Sequence, residues 1–202
     1  MVGRVFMKIE TTEVSQKMVG IFCSADDKVP HEFKILAYEL AKKLREKDLG
    51  IVTSASKTGL IREVARGYGS ISITTRHFFI PDDNPTWTEN LYSRLSAFHE
   101  RCSVIVVLPG GFGTLHELMD FLVHNQLGLI KVPIIVLNID GFWDGQLKQF
   151  EKMVEKNCLA IKHLSFIKVV PTLEGCIAAI DNEPEHQSHW ELDEYWKKAA
   201  GA

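Results

Sequence analysis

The stretch Cys102–Glu117, CSVIVVLPGGFGTLHE, limits the fold more than any other part of this chain. Val104 to Leu108 is apolar on both alternations and rich in β-branched residues. That pattern suits a parallel strand buried on both faces. Pro109 ends it. Gly110, Gly111 and Gly113 follow, residues that can take positive φ and that put no Cβ in the way of a ligand. Thr114 is placed to cap a helix whose apolar positions Leu115, Leu118, Met119 and Leu122 share one side. A buried strand thus hands a bare turn to a helix N-terminus, where N–H groups and the helix dipole can hold a phosphate or carboxylate. The competing reading is a tight strand-to-helix turn that binds nothing. The pattern favours the anion site.

The rest of the chain supplies the frame for that turn. Strand signals occur at Lys17–Ser24, Leu49–Thr53, Ser70–Thr75, Val132–Asn138 and Phe166–Val170. Helical periodicity falls at His31–Asp48, Gly59–Tyr68, Trp87–Arg101, a stretch ending near Leu127, Trp143–Asn157 and Thr172–Ile180. Arg76–Thr86, with Pro81, Asp82, Asp83, Asn84 and Pro85, reads as a loop. Alternating strands and helices predict an α/β fold: a Rossmann-like doubly wound parallel sheet with helices on both faces. Ligands in such sheets bind at the C-terminal strand edge, where the turn Pro109–Thr114 would lie. One nucleotide-binding domain is expected over residues 1–180. A polar tail, 181–202, carries Trp190, Tyr195 and Trp196; it packs on its own domain, meets a partner, or frays.

Bulk properties narrow the partners. With 202 residues and a net charge of -3, the chain offers no electrostatic reason to bind nucleic acid or an anionic membrane. No apolar run approaches membrane-spanning length. Cys23, Cys102, Cys158 and Cys176 are scattered, with no C-x-x-C pair. Reduced cysteines in a cytoplasmic protein are expected.

Familiar motifs are missing. The turn lacks the third glycine of a dinucleotide fingerprint, no G-K-[ST] occurs, and His116-Glu117 does not open an H-E-x-x-H pair. His116, Asp120 and His124 stand at four-residue steps, as metal ligands might, or as the polar face of an amphipathic helix. With no second ligand cluster visible, no metal is expected. Glu117 lies in the first turn of the central helix. It is either a carboxylate favoured by the dipole or a catalytic base or ion-stabilising group beside a phosphorylated ligand. Arg94 sits at the margin of the stripe Trp87, Leu91, Leu95 and Phe98, and either meets an anion or snorkels to solvent.

Pro109, Gly110, Gly111, Gly113, Thr114 and Glu117 complete the pattern P-G-G-x-G-T-x-x-E, and on these residues the chain resembles the LONELY GUY family, often labelled lysine decarboxylase-like. The arginine of the family's M-H-x-R-K stretch falls on Arg94, with Leu91, Tyr92 and Leu95 at its methionine, histidine and lysine positions. Gln126-Leu127-Gly128, Val132–Asp144 and the opening strand with Phe22 and Cys23 also match, so the resemblance spans about Met18 to Ile180. It implies hydrolysis of the N-glycosidic bond of nucleoside 5′-monophosphates, cytokinin ribotides among them, to free base and ribose 5-phosphate. It also implies Arg94 and Glu117 as catalytic residues, a homodimer, and no cofactor. The decarboxylase label would call for pyridoxal phosphate. Lys57 is the only lysine in a candidate ligand loop and has no evident partner for the ring nitrogen.

One departure stands out. Where the family has G-G-G-x-x-G-L-M-G, this chain has Ser54, Ala55, Ser56, Lys57, Thr58, Gly59, Leu60, Ile61 and Arg62. Ser24 likewise replaces a glycine. Three outcomes are open: the hydroxyls of Ser54 and Ser56 contact the ligand, the pocket narrows and the substrate changes, or hydrolysis is lost and the protein only binds a nucleotide or phosphorylated cofactor, as molybdenum-cofactor carriers of this fold do. Substrate contacts are expected from Ser24, Ser54, Ser56, Gly110, Gly111, Phe112, Gly113 and Thr114.

Overall fold

The structure is a computed structural model and describes residues 16–75, 85–183 and 194–199. In chain order the elements are β1 (Met18–Phe22), α1 (His31–Glu46), β2 (Gly50–Ser54), α2 (Gly59–Gly67), β3 (Ile71–Thr75), β4 (Thr86–Thr88) and α3 (Leu91–Arg101). There follow β5 (Val104–Val107), α4 (Phe112–Gln126), β6 (Ile134–Leu137), α5 (Asp144–Glu155), β7 (Ile167–Val170), α6 (Leu173–Asn182) and α7 (Glu194–Ala199). The seven strands form one sheet in the order β4-β3-β2-β1-β5-β6-β7. Every pairing is parallel. The strand order reverses between β1 and β5, which opens a crevice at their C-terminal ends.

The two-sided burial expected of the central strand is present. Val104 and Val106 join the core layer formed with α1, α2 and α6, while Ile105 and Val107 join the layer formed with α3, α4 and α5. Successive side chains on a strand point to opposite faces, so only a strand apolar on both alternations can serve two layers.

Three local expectations are corrected. Trp87 does not start a helix: Thr86–Thr88 pairs with Ile73–Thr75 as the edge strand, and Trp87 is exposed there. The helix begins at Leu91 because Asn90 caps it. Asn90 Oδ1 accepts from the N–H groups of Tyr92 (2.9 Å) and Ser93 (3.0 Å), and Ser93 Oγ accepts from Asn90 N (3.0 Å). Second, Thr114 is not the cap of α4. Gly111 holds that position, and Thr114 lies in the first turn, buried. Third, Met119 is exposed, and the buried face of α4 is made by Leu118 and Phe121. Most of the expected loop, 76–84, lies outside the described residues.

The C-terminal residues that are described pack on the same sheet. Trp196 is 1% exposed in the α3–α4–α5 layer, and its Nε1–H donates to the carbonyl of Ile167 on β7 (2.9 Å). Trp190 lies outside the described residues.

Candidate functional site

The loops that leave β1, β2 and β5 are stitched together at the crevice. Ser24 N donates to Pro109 O (3.1 Å), Leu60 N to Ser24 O (2.8 Å), and Gly59 N to Asp27 Oδ1 (3.0 Å). Gly59 has φ +63, and a Cβ there would stand 2.5 Å from the backbone of Ala25. Glycine is required at this crossing.

These loops enclose a cleft of about 770 Å³. Among its walls are Ser24, Ser54, Ser56, Gly111, Gly113 and Thr114, with Arg94 and Glu117 at the base. The first intrahelical bond of α4 runs from Leu115 N to Gly111 O (3.0 Å). The N–H groups of Phe112, Gly113 and Thr114 precede it and have no partner within the helix, which leaves a donor set at the positive end of the dipole.

Two of the expected contact residues do not line this cleft. Phe112 is 92% exposed. Gly110 serves packing: a Cβ on it would stand 2.1 Å from Thr114 Oγ1. Chain neighbours and the helix's own backbone aside, no atom of the described residues lies within 4 Å of the Cβ position of Gly111 or Gly113, so those two keep space open. None of the three turn glycines has positive φ; what each provides is the absence of a side chain.

Arg94 and Glu117, 7% and 5% exposed, meet across the α3–α4 boundary. Arg94 Nη1 donates to Glu117 Oε1 at 2.8 Å. The choice left open for Arg94 is thereby decided: it meets an anion. The guanidinium also lies over the Phe98 ring, 5.9 Å from its centroid. Its Nε has no hydrogen-bond partner among the described residues. Burial pushes the Glu117 carboxyl above its ordinary range, against the opposing pull of the Arg94 charge and of the bonds from Ser54 and Arg94.

Ser54 takes a role the sequence did not suggest. Its hydroxyl donates to Glu117 Oε1 (2.8 Å) and accepts from Arg94 Nη1. The serine that replaces a family glycine is thus built into the ion pair. Ser56 turns back on its own loop, accepting from Thr58 N at 3.1 Å. Ser24 Oγ accepts from Asp26 N at 3.1 Å.

The walls also include Cys23, Ala25, Asp26, Ala55, Lys57, Thr58, Ile61, Ile73 and Thr74, which the sequence reading did not assign to substrate contact. Those on the first two strand-to-helix loops were findable, since such loops in a doubly wound sheet converge at the switch point. Burial, with the Glu117 charge adding to it, drives the Cys23 thiol far above the usual thiol range and disfavours its thiolate. Lys57 is exposed on its loop. The buried acid of the cleft, Glu117, is already engaged by Arg94 and Ser54. These residues do not fit pyridoxal phosphate, which needs a Schiff-base lysine and a partner for its ring nitrogen.

A family profile described as "Possible lysine decarboxylase" matches residues 62–180. Among curated relatives, the rice (Oryza sativa subsp. japonica) "Probable cytokinin riboside 5'-monophosphate phosphoribohydrolase LOGL5" is 23% identical over 204 residues, covering 92% of this chain and 83% of that protein. "Cytokinin riboside 5'-monophosphate phosphoribohydrolase LOG7" of Arabidopsis thaliana is 23% identical, covering 88% of this chain and 87% of its own. Among solved structures, the molybdenum cofactor binding protein of Rippkaea orientalis superposes with a TM-score of 0.60 at 16% identity, covering 83% of this chain and 97% of that one. That last likeness is one of fold. With the P-G-G-x-G-T-x-x-E turn, its glutamate and the matching arginine in one cleft, the chain belongs to the lysine decarboxylase-like family that includes the LONELY GUY phosphoribohydrolases.

Proposed function

We propose that the protein is a nucleoside 5′-monophosphate phosphoribohydrolase, with cytokinin riboside 5′-monophosphates among its candidate substrates. The observation that carries this reading is the Arg94–Glu117 pair, 2.8 Å apart and buried at the base of a cleft beside the first turn of α4. The 5′-phosphate sits on the N–H groups of Gly111, Gly113 and Thr114, where donors and dipole both favour a dianion. Binding energy from that group positions the ribose over Glu117. As the N-glycosidic bond lengthens, positive charge grows on the sugar ring. The Glu117 carboxylate, on the floor beneath, stabilises that charge or takes a proton from the attacking water. Arg94 holds the carboxylate in place through its Nη1 bond to Oε1. The products are the free base and ribose 5-phosphate.

The protein is further proposed to act as a homodimer. Met119 and Val123 on α4 and Leu127 at its C-cap stand exposed at four-residue steps, an apolar stripe suited to a second copy. A cytoplasmic location is proposed with it. Among the described residues, no helix is long and apolar enough to cross a membrane.

The test is incubation with AMP, CMP, GMP, UMP and N6-isopentenyl-AMP, with detection of free base. Base release lost on Glu117→Gln supports the proposal; release unchanged in that variant refutes the role of Glu117. A second reading, a non-catalytic binder of a nucleotide or phosphorylated cofactor, draws on one observation: Ser54 occupies the carboxylate that would face the sugar. Thermal stabilisation by a ligand with no turnover would select it.

A further inference from the structure

Away from the cleft, α3 and α4 bring a second set of polar side chains together: His99, Asp120 and His124, whose ligand atoms all lie within 4.8 Å of one another. The sequence spacing placed His116, Asp120 and His124 at four-residue steps, and no metal was expected there. On one helix, however, residues eight apart are separated by about 12 Å along the axis, too far for one ion. His116 is exposed and outside the cluster, and His99 of α3 takes its place.

Two features distinguish this group from an ordinary polar contact. His99 Nε2 and Asp120 Oδ2 lie 2.6 Å apart, yet neither atom makes a hydrogen bond among the described residues. The two atoms are off the line that a shared proton would need. Second, His124 Nδ1 lies 2.8 Å from the carbonyl oxygen of Asp120, one turn back. A ring that donates from Nδ1 to a backbone carbonyl carries its lone pair on Nε2, the arrangement by which proteins orient metal-binding histidines. The His99 ring is held from behind by Phe121, centroids 4.5 Å apart, and the two histidine rings stand 4.2 Å apart.

We propose that His99, Asp120 and His124 form a binding site for a divalent transition-metal ion of the zinc type. Two imidazoles and one carboxylate suit Zn²⁺ and its neighbours, whereas Mg²⁺ and Ca²⁺ prefer oxygen ligands alone. The ion takes the lone pairs that no hydrogen bond uses, and the Asp120 carboxylate offsets part of its charge. Binding opens the His99–Asp120 contact by about 0.6 Å and draws the more widely separated ligand atoms inward to reach tetrahedral ligand separations. The site joins α3 to α4 five residues past Arg94 and three past Glu117, so the ion braces the two helices that carry that pair. The inference rests on the His99–Asp120–His124 geometry alone and does not depend on the hydrolase reading.

The test uses the full chain, stripped with chelator and titrated with Zn²⁺ alone by calorimetry. Co²⁺ substitution is followed by its visible d–d absorption. Saturation at one ion per chain is expected, with a rise in Tm. His124→Ala and Asp120→Asn should each weaken binding by at least about 100-fold, because each deletes a direct ligand rather than a supporting group. His31→Ala, an exposed histidine on α1, should leave binding unchanged. Since His124 is partly exposed, its variant is expected to keep the circular dichroism spectrum of the parent. Wild-type affinity no tighter than that of His124→Ala, or equal loss in His31→Ala, would overturn the proposal.

Discussion

Replacing Arg94 by Met separates what the buried pair contributes to stability from what it contributes to chemistry. Arg94 and Glu117 are almost wholly buried, joined at 2.8 Å, with Ser54 as a third member. Removing one partner of a buried pair strands the other charge, at a cost of about 3–5 kcal/mol. For a protein of this size each kcal/mol corresponds to about 2–4 °C in Tm. Arg94→Met should therefore melt lower by about 6–20 °C at neutral pH. The deficit should depend on pH in a fixed direction. The Glu117 carboxyl is held above its unfolded value, so the stability linked to it is full below about pH 4.3 and falls as pH rises through the folded pKa. Arg94 pulls that pKa down, and its loss raises it further. The variant's deficit thus grows from mildly acid to neutral solution. The double variant Arg94→Met, Glu117→Leu should recover most of the loss, short of about 1–3 kcal/mol for the Ser54 hydroxyl left without its bonds. Urea denaturation followed by circular dichroism at the two pH values measures all of this. A single variant within about 1 kcal/mol of wild type at neutral pH, or a double variant no better than the single, would refute the description of the pair as a mutually dependent buried unit.

Further outcomes are expected at neighbouring positions. Ser54→Ala removes a bond that favours the ionised carboxylate, so the acid limb of base release should move to higher pH; an unmoved limb would detach Ser54 from the pair. Gly110→Ala should destabilise by about 1–3 kcal/mol in thermal melts, since its Cβ meets Thr114. Gly113→Val has open space and should keep its Tm while weakening AMP binding measured by calorimetry. Trp196→Ala should cost about 3–5 kcal/mol in denaturant unfolding, because a fully buried indole and its bond to Ile167 are lost.

The frame of the site was legible because it depends on local pattern. A five-residue apolar run ended by proline and glycines permits little besides a buried parallel strand and a turn into a helix. Arg94 and Glu117 could be named on the family motif. The start of α3 was also within reach, since Asn90 followed three residues later by Ser93 is a capping signal. It was missed because Trp87 happened to extend the apolar stripe by one turn. The short strand Thr86–Thr88 gives too few residues for any period to register.

What the sequence by itself determined is the layered α/β plan and the bare turn at the head of α4, since strand burial, helix amphipathicity and glycine geometry are properties of neighbouring residues. What only the tertiary structure decided is who meets whom across elements. Ser54 closes on Glu117 from 63 positions away. His99 replaces His116 beside Asp120. Gly110 leaves room for the Thr114 side chain. These contacts are set by how helices of different segments pack against one sheet, and spacing along a single segment does not carry that information.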